Sequence, residues 1–228
     1  YIFILLISSN YAGLIFADDS KEYNVLDLIE KNIVIVNSVF ADGGLKKAHK
    51  EASQGHETFM VKLTNKSEED LKIIIPCGLV FTPENKKFQK MIVVQSSSYT
   101  LMPLATIDIN IYVACIDMIN DQPEKGDKYS IGYMQNGKLR NFIDCLCSMK
   151  DVQKDPMGAQ FAIWDISSDE EDSENVRKKK ELEKTIKMMK SYGNIKIPDQ
   201  LINSLDYYKN AEKLLERCKI NKTRDKKL

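Results

Sequence analysis

The chain has little with which to do chemistry. Its 228 residues include two histidines, His49 and His56, and a single tryptophan, Trp164. Both histidines lie in a polar stretch with no cysteine or carboxylate at ligand spacing, which argues against a zinc site. There is no CxxC pair, no HExxH, no nucleophile elbow and no glycine-rich phosphate loop. The acidic run from Ser168 to Asp172 lacks the alternating ligands and the glycine of a calcium loop. No enzyme active site, no metal and no cofactor are expected.

An excess of one charge is also missing. Lysine plus arginine number 33 and aspartate plus glutamate 33, for a formal net charge of +0. A balanced chain has no global electrostatic reason to seek nucleic acid or anionic lipid. The basic run Arg177-Lys178-Lys179-Lys180 follows the acidic block and has no interleaved aromatics, so it reads as a solvated helix face.

Long hydrophobic runs are absent after the first residues. Tyr1 to Ala17 (YIFILLISSNYAGLIFA) is apolar except around Ser8, Ser9 and Asn10, and turns polar at Asp18-Asp19. The block is shorter than the roughly 20 apolar residues of a spanning helix. It reads as the h-region of a signal peptide, partial because no basic n-region precedes it, with the mature chain beginning close to Asp18. Three parts are expected: residues 1–17 as signal, 18–166 as a β-rich domain with one inserted helix, and 167–228 as a charged helical hairpin. The product is expected to be secreted, with no membrane association after signal removal.

Five cysteines, Cys77, Cys115, Cys145, Cys147 and Cys218, are too few for a disulfide-rich miniprotein. In an oxidising compartment their odd number leaves one over unless it pairs between chains.

What is present is strand-like. A short helix within residues 21–31 leads into the β-branched run Ile33 to Val36, and the stretch from Asp42 to Gly55 reads as a loop. Phe59, Val61 and Leu63 alternate with polar residues, as do Leu71, Ile73 and Ile75 beyond a polar turn, which predicts a hairpin. Phe81, the run Met91 to Val94, and the alternation Ile107, Ile109, Ile111, Val113 add further strands. Alternate residues of a strand share a face, so Phe59, Val61, Leu63, Ile73, Ile75, Ile109, Ile111 and Val113 should line one core, with Cys77 and Cys115 pointing the same way. Short strands punctuated by Pro, Gly and Asn predict an α+β protein built on an antiparallel immunoglobulin-like β-sandwich.

Helical spacing follows. Leu139, Phe142, Ile143 and Leu146 predict a helix over residues 138–150, whereas Ala159 to Ile166 reads as a returning strand. Ser168 with Glu171 forms a capping-box pattern before an apolar stripe of Leu182, Ile186 and Met189, and Gly193-Asn194 stops that helix. Pro198 opens a second one carrying Leu201, Leu205, Tyr208, Leu215 and Cys218, completing a C-terminal helical hairpin.

Two segments bear a resemblance. Ala114-Cys115-Ile116-Asp117 and Ala159-Gln160-Phe161-Ala162-Ile163-Trp164, with Pro123 between them, resemble the thioester domains of bacterial surface adhesins. The second segment matches that family's apolar-Gln-x-apolar-apolar pattern running on to Ile-Trp. Ala114 and Asp117 depart from it, and the insertion between the segments is shorter. The resemblance implies a bond between the Cys115 sulfur and the Gln160 side-chain carbon, formed with loss of ammonia. It also implies that both residues sit on adjacent strands. A wider course, from Leu71 to Pro76 through Gly78, Phe81, Gln89, Cys115-Ile116-Asp117, Pro123 and Gln160 to Trp164, is similar to uncharacterised secreted bacterial proteins with a β-sandwich core. That resemblance implies fold and export, and no chemistry.

Taken as packing residues alone, Cys115 is a small buried hydrophobe or the disulfide partner of Cys77, Phe161 and Trp164 fill the core, and Gln160 satisfies a buried backbone group. Core-filling residues need not meet, and a Cys115 to Gln160 separation beyond about 8 Å is the expected arrangement. The function expected is a noncatalytic extracellular interaction or adhesion module that meets another protein or a cell surface. The alternative is a covalent adhesin using Cys115 and Gln160.

Overall fold

Fully apolar strand segments and alternating ones occur side by side in this chain, and their arrangement explains both. In the computed structural model, which describes residues 21–42, 57–149, 155–168, 174–191 and 197–220, six strands close into a barrel. They are β2 (Val34–Ala41), β3 (Glu57–Asn65), β5 (Leu79–Pro83), β6 (Met91–Val93), β8 (Thr106–Cys115) and β9 (Lys128–Met134), in the order β2-β3-β8-β6-β5-β9. Every pairing within the barrel is antiparallel. A second sheet holds β1 (Glu22–Asn24), β4 (Leu71–Ile75) and β7 (Ser97–Leu101), with β1 parallel and β7 antiparallel to the central β4.

The immunoglobulin-like sandwich is therefore corrected to a closed barrel with a small mixed sheet beside it. The reason lies in β9. Its sequence KYSIGYM hides its pattern, because Gly132 interrupts the alternation and the outward residues are polar or aromatic. This strand pairs with β5 on one side and with β2 on the other, through Val39 opposite Tyr129, and so joins the two ends of the sheet. Without β9 the sheet would stay open. A Cβ at Gly132 would lie 2.9 Å from both Val80 O and Thr82 Oγ1, so the close approach of β9 to β5 requires glycine there.

The predicted hairpin of residues 59–75 is also corrected, since β3 belongs to the barrel and β4 to the small sheet. Asn65 diverts the chain. Fully buried at the end of β3, it donates its side-chain N–H groups to the carbonyls of Glu69, Leu101 and Met102 and accepts from Ser67 N–H and Oγ–H. This fixes the 66–70 turn against the turn after β7, so the next strand starts in a different sheet.

The core residues themselves fall as expected. Phe59, Val61, Leu63, Ile73, Ile75, Ile109, Ile111 and Val113 lie in one buried cluster, joined by Phe81, Met91 and Tyr129. Phe59 sits at 4.5 Å between ring centroids from Tyr129 and 5.5 Å from Phe81. Side chains fill the barrel, as the narrow bore of a six-stranded closure demands.

A second cluster covers the outside of β5, β6 and β8. Val80, Ile92, Val94 and Ala114 point outward and are buried by α2 (Gly137–Ser148), α3 (Pro156–Ser167) and α5 (Asp199–Arg217). These strand segments are wet on neither face, and so read as continuous apolar runs. The helix expected near 138–150 is α2, with Leu139, Phe142, Ile143 and Leu146 all buried. A short α1 (Val25–Glu30), capped by the Asn24 side chain, packs Val25 and Leu28 into the first cluster.

Ala159 to Ile166 is the third correction. It forms the helix α3 rather than a strand. Asp155 caps it by accepting from Gly158 N–H, and Pro156 occupies its first turn, where a missing N–H costs nothing. Gly158, Ala159, Gln160, Ala162, Ile163 and Trp164 are all buried, so no polar face marks the helical period. Among the described residues of the domain, α3 thus stands beside α2 as a second inserted helix.

Beyond it, α4 (Glu174–Ser191) and α5 are the two C-terminal helices. Ser168, expected to cap α4, instead ends α3, its N–H and hydroxyl both bonding Trp164 O. Lys179 of α4 pairs with Glu212 of α5, and α5 buries Tyr208, Ala211 and Leu215 against α3 and the second cluster. The expected signal segment of residues 1–17, the histidines His49 and His56, and the Gly193-Asn194 stop lie outside the described residues.

Candidate functional site

Cys115 and Gln160 meet. Cys115 N–H donates to Gln160 Oε1 at 2.8 Å, and Gln160 Nε2 donates to Cys115 O at 2.7 Å. The expected separation beyond 8 Å is thus corrected, although Gln160 arrives from a helix rather than a neighbouring strand.

The ladder around β8 explains the contact. In an antiparallel sheet consecutive residues direct their N–H and C=O groups to opposite sides. Ile116 N–H bonds Lys90 O on the β6 side, so the polar backbone groups of Cys115 face the other way, toward β3. Among the described residues the last pair there is Glu57 with Val113, and Cys115 lies beyond it. The Gln160 carboxamide, which carries one donor and one acceptor in a plane, occupies the position a further β3 residue would take. It extends the ladder by one rung from a helix.

Other bonds fix α3 at this end of the barrel. Ser167 Oγ–H reaches both Ile116 O and Ile163 O, the latter at 2.8 Å. Phe161 packs edge-on to Trp164 and to Tyr208 of α5, with centroids at 5.3 and 4.6 Å. On the opposite side of β8, Asp117 accepts from Asn120 N–H at 3.2 Å and from Lys90 N–H at 3.4 Å, closing the turn after the strand. Its place in the Cys-Ile-Asp segment is thus a turn residue. Gln89, 3% exposed, donates Nε2 to Asn120 O, and its own carbonyl accepts from Tyr129 Oη–H.

Among the described residues, two buried polar atoms, Gln89 Oε1 and Trp164 Nε1, have no hydrogen-bond partner. For Trp164 this yields a prediction. Trp164→Phe deletes the unpaired N–H while keeping an aromatic ring, and should cost less than about 1 kcal/mol, whereas Trp164→Ala should cost about 3–5 kcal/mol. Chemical denaturation of the two variants checks it.

Of the two alternatives for Cys115, a buried hydrophobe or the partner of Cys77, the pairing with Cys77 is corrected. Cys77 bonds Cys147, and Cys145 bonds Cys218. Cys77 sits past the end of β4, in the turn before β5, and faces the outer cluster, whereas Cys115 faces the barrel interior. The barrel wall separates them. α2 thus carries two staples, one to the barrel and one to the end of α5, and Arg140 adds a bond from Nη1 to Cys77 O at 3.2 Å. The pairings are fixed by α2, whose two cysteines lie two residues apart and so project in different directions; spacing along the chain carries no such information. Cys115 is buried, belongs to neither disulfide, and is the one cysteine of the five that keeps its thiol.

Among the described residues no group of three His, Cys, Asp or Glu side chains could hold a metal ion. Among the same residues no helix is long and apolar enough to cross a membrane. The chain matches no protein-family model, no curated protein and no solved structure.

Proposed function

We propose that this protein is an exported, noncatalytic binding module that meets another protein or a cell surface. The observation that carries the reading is the use of four of the five cysteines in two disulfides that tie the helical layer to the barrel and to itself. Such bonds persist in oxidising compartments and are reduced in most cytosols. The packed barrel interior supports recognition by the outer surface and loops rather than by an enclosed ligand site. Fractionation of the cells that make the protein tests this. The expected result is disulfide-bonded protein outside the cytosol with its N-terminus near Asp18. Recovery in the cytosol with Tyr1 retained and all five thiols reduced would refute it.

A second reading rests on one specific observation, the contact between Gln160 and Cys115. In it the Cys115 thiolate attacks the Gln160 amide carbon, polarised by the Cys115 N–H. The carbon–nitrogen bond breaks, and nitrogen leaves as ammonia with the thiol proton. An external amine would then open the thioester to an amide and return the thiol. Two features favour the noncatalytic reading. Both ends of the carboxamide already serve the Cys115 backbone, in the plane of the sheet. The Cys115 side chain belongs to the barrel interior and so stands off that plane.

A further inference from the structure

A modification motif in this chain falls on a residue the fold cannot spare. Asn65-Lys66-Ser67 is an Asn-x-Ser triplet, the sequence to which N-linked glycans are transferred on secreted chains. Glycosylated asparagines sit on surfaces, because the glycan is bulky and hydrated. Asn65 is fully buried. A second triplet of this type, Asn221-Lys222-Thr223, lies outside the described residues.

The atom that would carry the sugar is already in use. Asn65 Nδ2 donates to Glu69 O at 2.8 Å, Met102 O at 3.0 Å and Leu101 O at 3.2 Å, which draws the 66–70 turn onto the turn after β7. Asn65 Oδ1 accepts from Ser67 N–H and Ser67 Oγ–H, both at 2.8 Å, so the triplet is folded back on its own asparagine. The backbone around it is fixed as well. Asn65 N–H bonds Ala105 O, Lys66 N–H bonds Ile33 O, and Leu104 N–H bonds Ser67 O. Together these bonds end β3 in the barrel and send β4 into the small sheet. Glycan transfer joins Nδ2 to the anomeric carbon of a lipid-linked oligosaccharide, breaks that carbon's bond to the pyrophosphate, and releases the lipid pyrophosphate with one amide proton. A single N–H then remains to serve the carbonyls of Glu69, Leu101 and Met102, and a sugar ring has to enter a space closed to solvent.

We infer that Asn65 is a glycosylation site that the folded protein excludes: a glycan on its nitrogen prevents the β3 to β4 crossover from closing, so this chain matures only along an export route that leaves Asn65 unmodified. Timing gives the exclusion its force. Leu101 and Met102 lie 36 and 37 residues downstream, so the amide stays open to transfer until they have entered the same compartment. Once glycosylated, Asn65 cannot be buried, because the sugar hydroxyls would give up water without gaining partners. The carbonyls it should serve lose their donor as well. The choice of route rests on the export proposed above, whereas the incompatibility of glycan and fold stands on the geometry alone.

The test directs the full chain into a glycosylating eukaryotic secretory pathway, with and without an inhibitor of lipid-linked oligosaccharide assembly. The Ser67→Ala variant, which removes the triplet, is run beside it and separates Asn65 from Asn221, which the inhibitor also affects. Peptide mapping after enzymatic glycan release reads Asn65, and mapping without reduction reads the Cys77 to Cys147 and Cys145 to Cys218 pairs. Retained protein should carry glycan at Asn65 and mispaired cysteines, and secreted protein should carry none there. Blocking transfer should raise the yield of correctly paired, secreted protein at least about threefold. Ser67→Ala should do the same without inhibitor, although it gives up the hydroxyl bond to Asn65 Oδ1; if that loss impairs folding under both conditions, the inhibitor arm on the native chain decides. Secreted protein with a glycan at Asn65 and both native disulfides overturns the proposal. So does an Asn65 left unmodified in every fraction, which would mean that the turn closes ahead of transfer. Protein exported by its own cells should be unmodified at Asn65. Recovery from those cells in the cytosol alone would refute the export reading, and the glycosylating host would still decide this one.

Discussion

Replacing Gln160 with leucine is expected to destabilise the protein by about 2–4 kcal/mol, more than a swap of similar volume in a core normally costs. Leucine fills the space but removes the two hydrogen bonds that the carboxamide makes to the buried Cys115 N–H and Cys115 O. Losing a buried hydrogen bond of this kind costs about 1–3 kcal/mol. The Gln160→Glu variant separates hydrogen bonding from packing. Ionised, its carboxylate accepts from Cys115 N–H but cannot donate to Cys115 O, and it carries a buried charge. Protonated, it restores both bonds. Its folded-state pKa should therefore lie above that of the unfolded chain, so this variant gains stability as the pH falls and loses it as the pH rises through the folded value. Urea denaturation of native, Gln160→Leu and Gln160→Glu protein at two pH values checks both statements. A pH-independent Gln160→Glu variant as stable as native would show that the carboxamide donor does not matter.

Removing either disulfide should have an effect of similar size. The bridges close sequence separations of 70 and 73 residues, for which loop-closure entropy gives about 4 kcal/mol each. Their consequences differ in place. Cys77 to Cys147 ties α2 to the turn before β5, so its loss loosens the helical layer from the barrel. Cys145 to Cys218 ties α2 to the end of α5, so its loss frees the helix that packs Tyr208 on Phe161 and backs Gln160. Both cysteines of the second bridge are half-buried, whereas the first bridge has one half-buried cysteine, Cys147, and one buried, Cys77. A mild thiol reductant should therefore open Cys145 to Cys218 first. Alkylation and mass mapping during a reduction time course reads the order, and the paired alanine variants give the stabilities.

The sequence revealed face and period better than closure and pairing. The strand segments with one wet side, β3, β4 and the first part of β8, declare their buried residues by alternation, and all eight core positions expected of them lie in one cluster. β9 went unread because a glycine needed for its close approach to β5 breaks the alternation, and with β9 went the closure of the barrel. α3 reads as a strand because none of its residues is fully exposed, which removes the polar face that carries a helical period. Asp155-Pro156, an N-cap followed by a first-turn proline, was the available signal. At the site, the proximity of Cys115 and Gln160 was legible only through resemblance. The contact depends on how α3 packs across the end of β8, which no local pattern encodes.

Gln160 holds Cys115 through hydrogen bonds, and two disulfides tie the helical layer to the barrel and to itself. Intact mass of unreduced protein from the exported fraction, before and after incubation with methylamine, tests this arrangement most directly. The expected mass is about 4 Da below that of the reduced chain, from four hydrogens lost in two disulfides, with no change on adding the amine. A mass about 17 Da lower still, with methylamine taken up at Gln160 and the Cys115 thiol released, would contradict it.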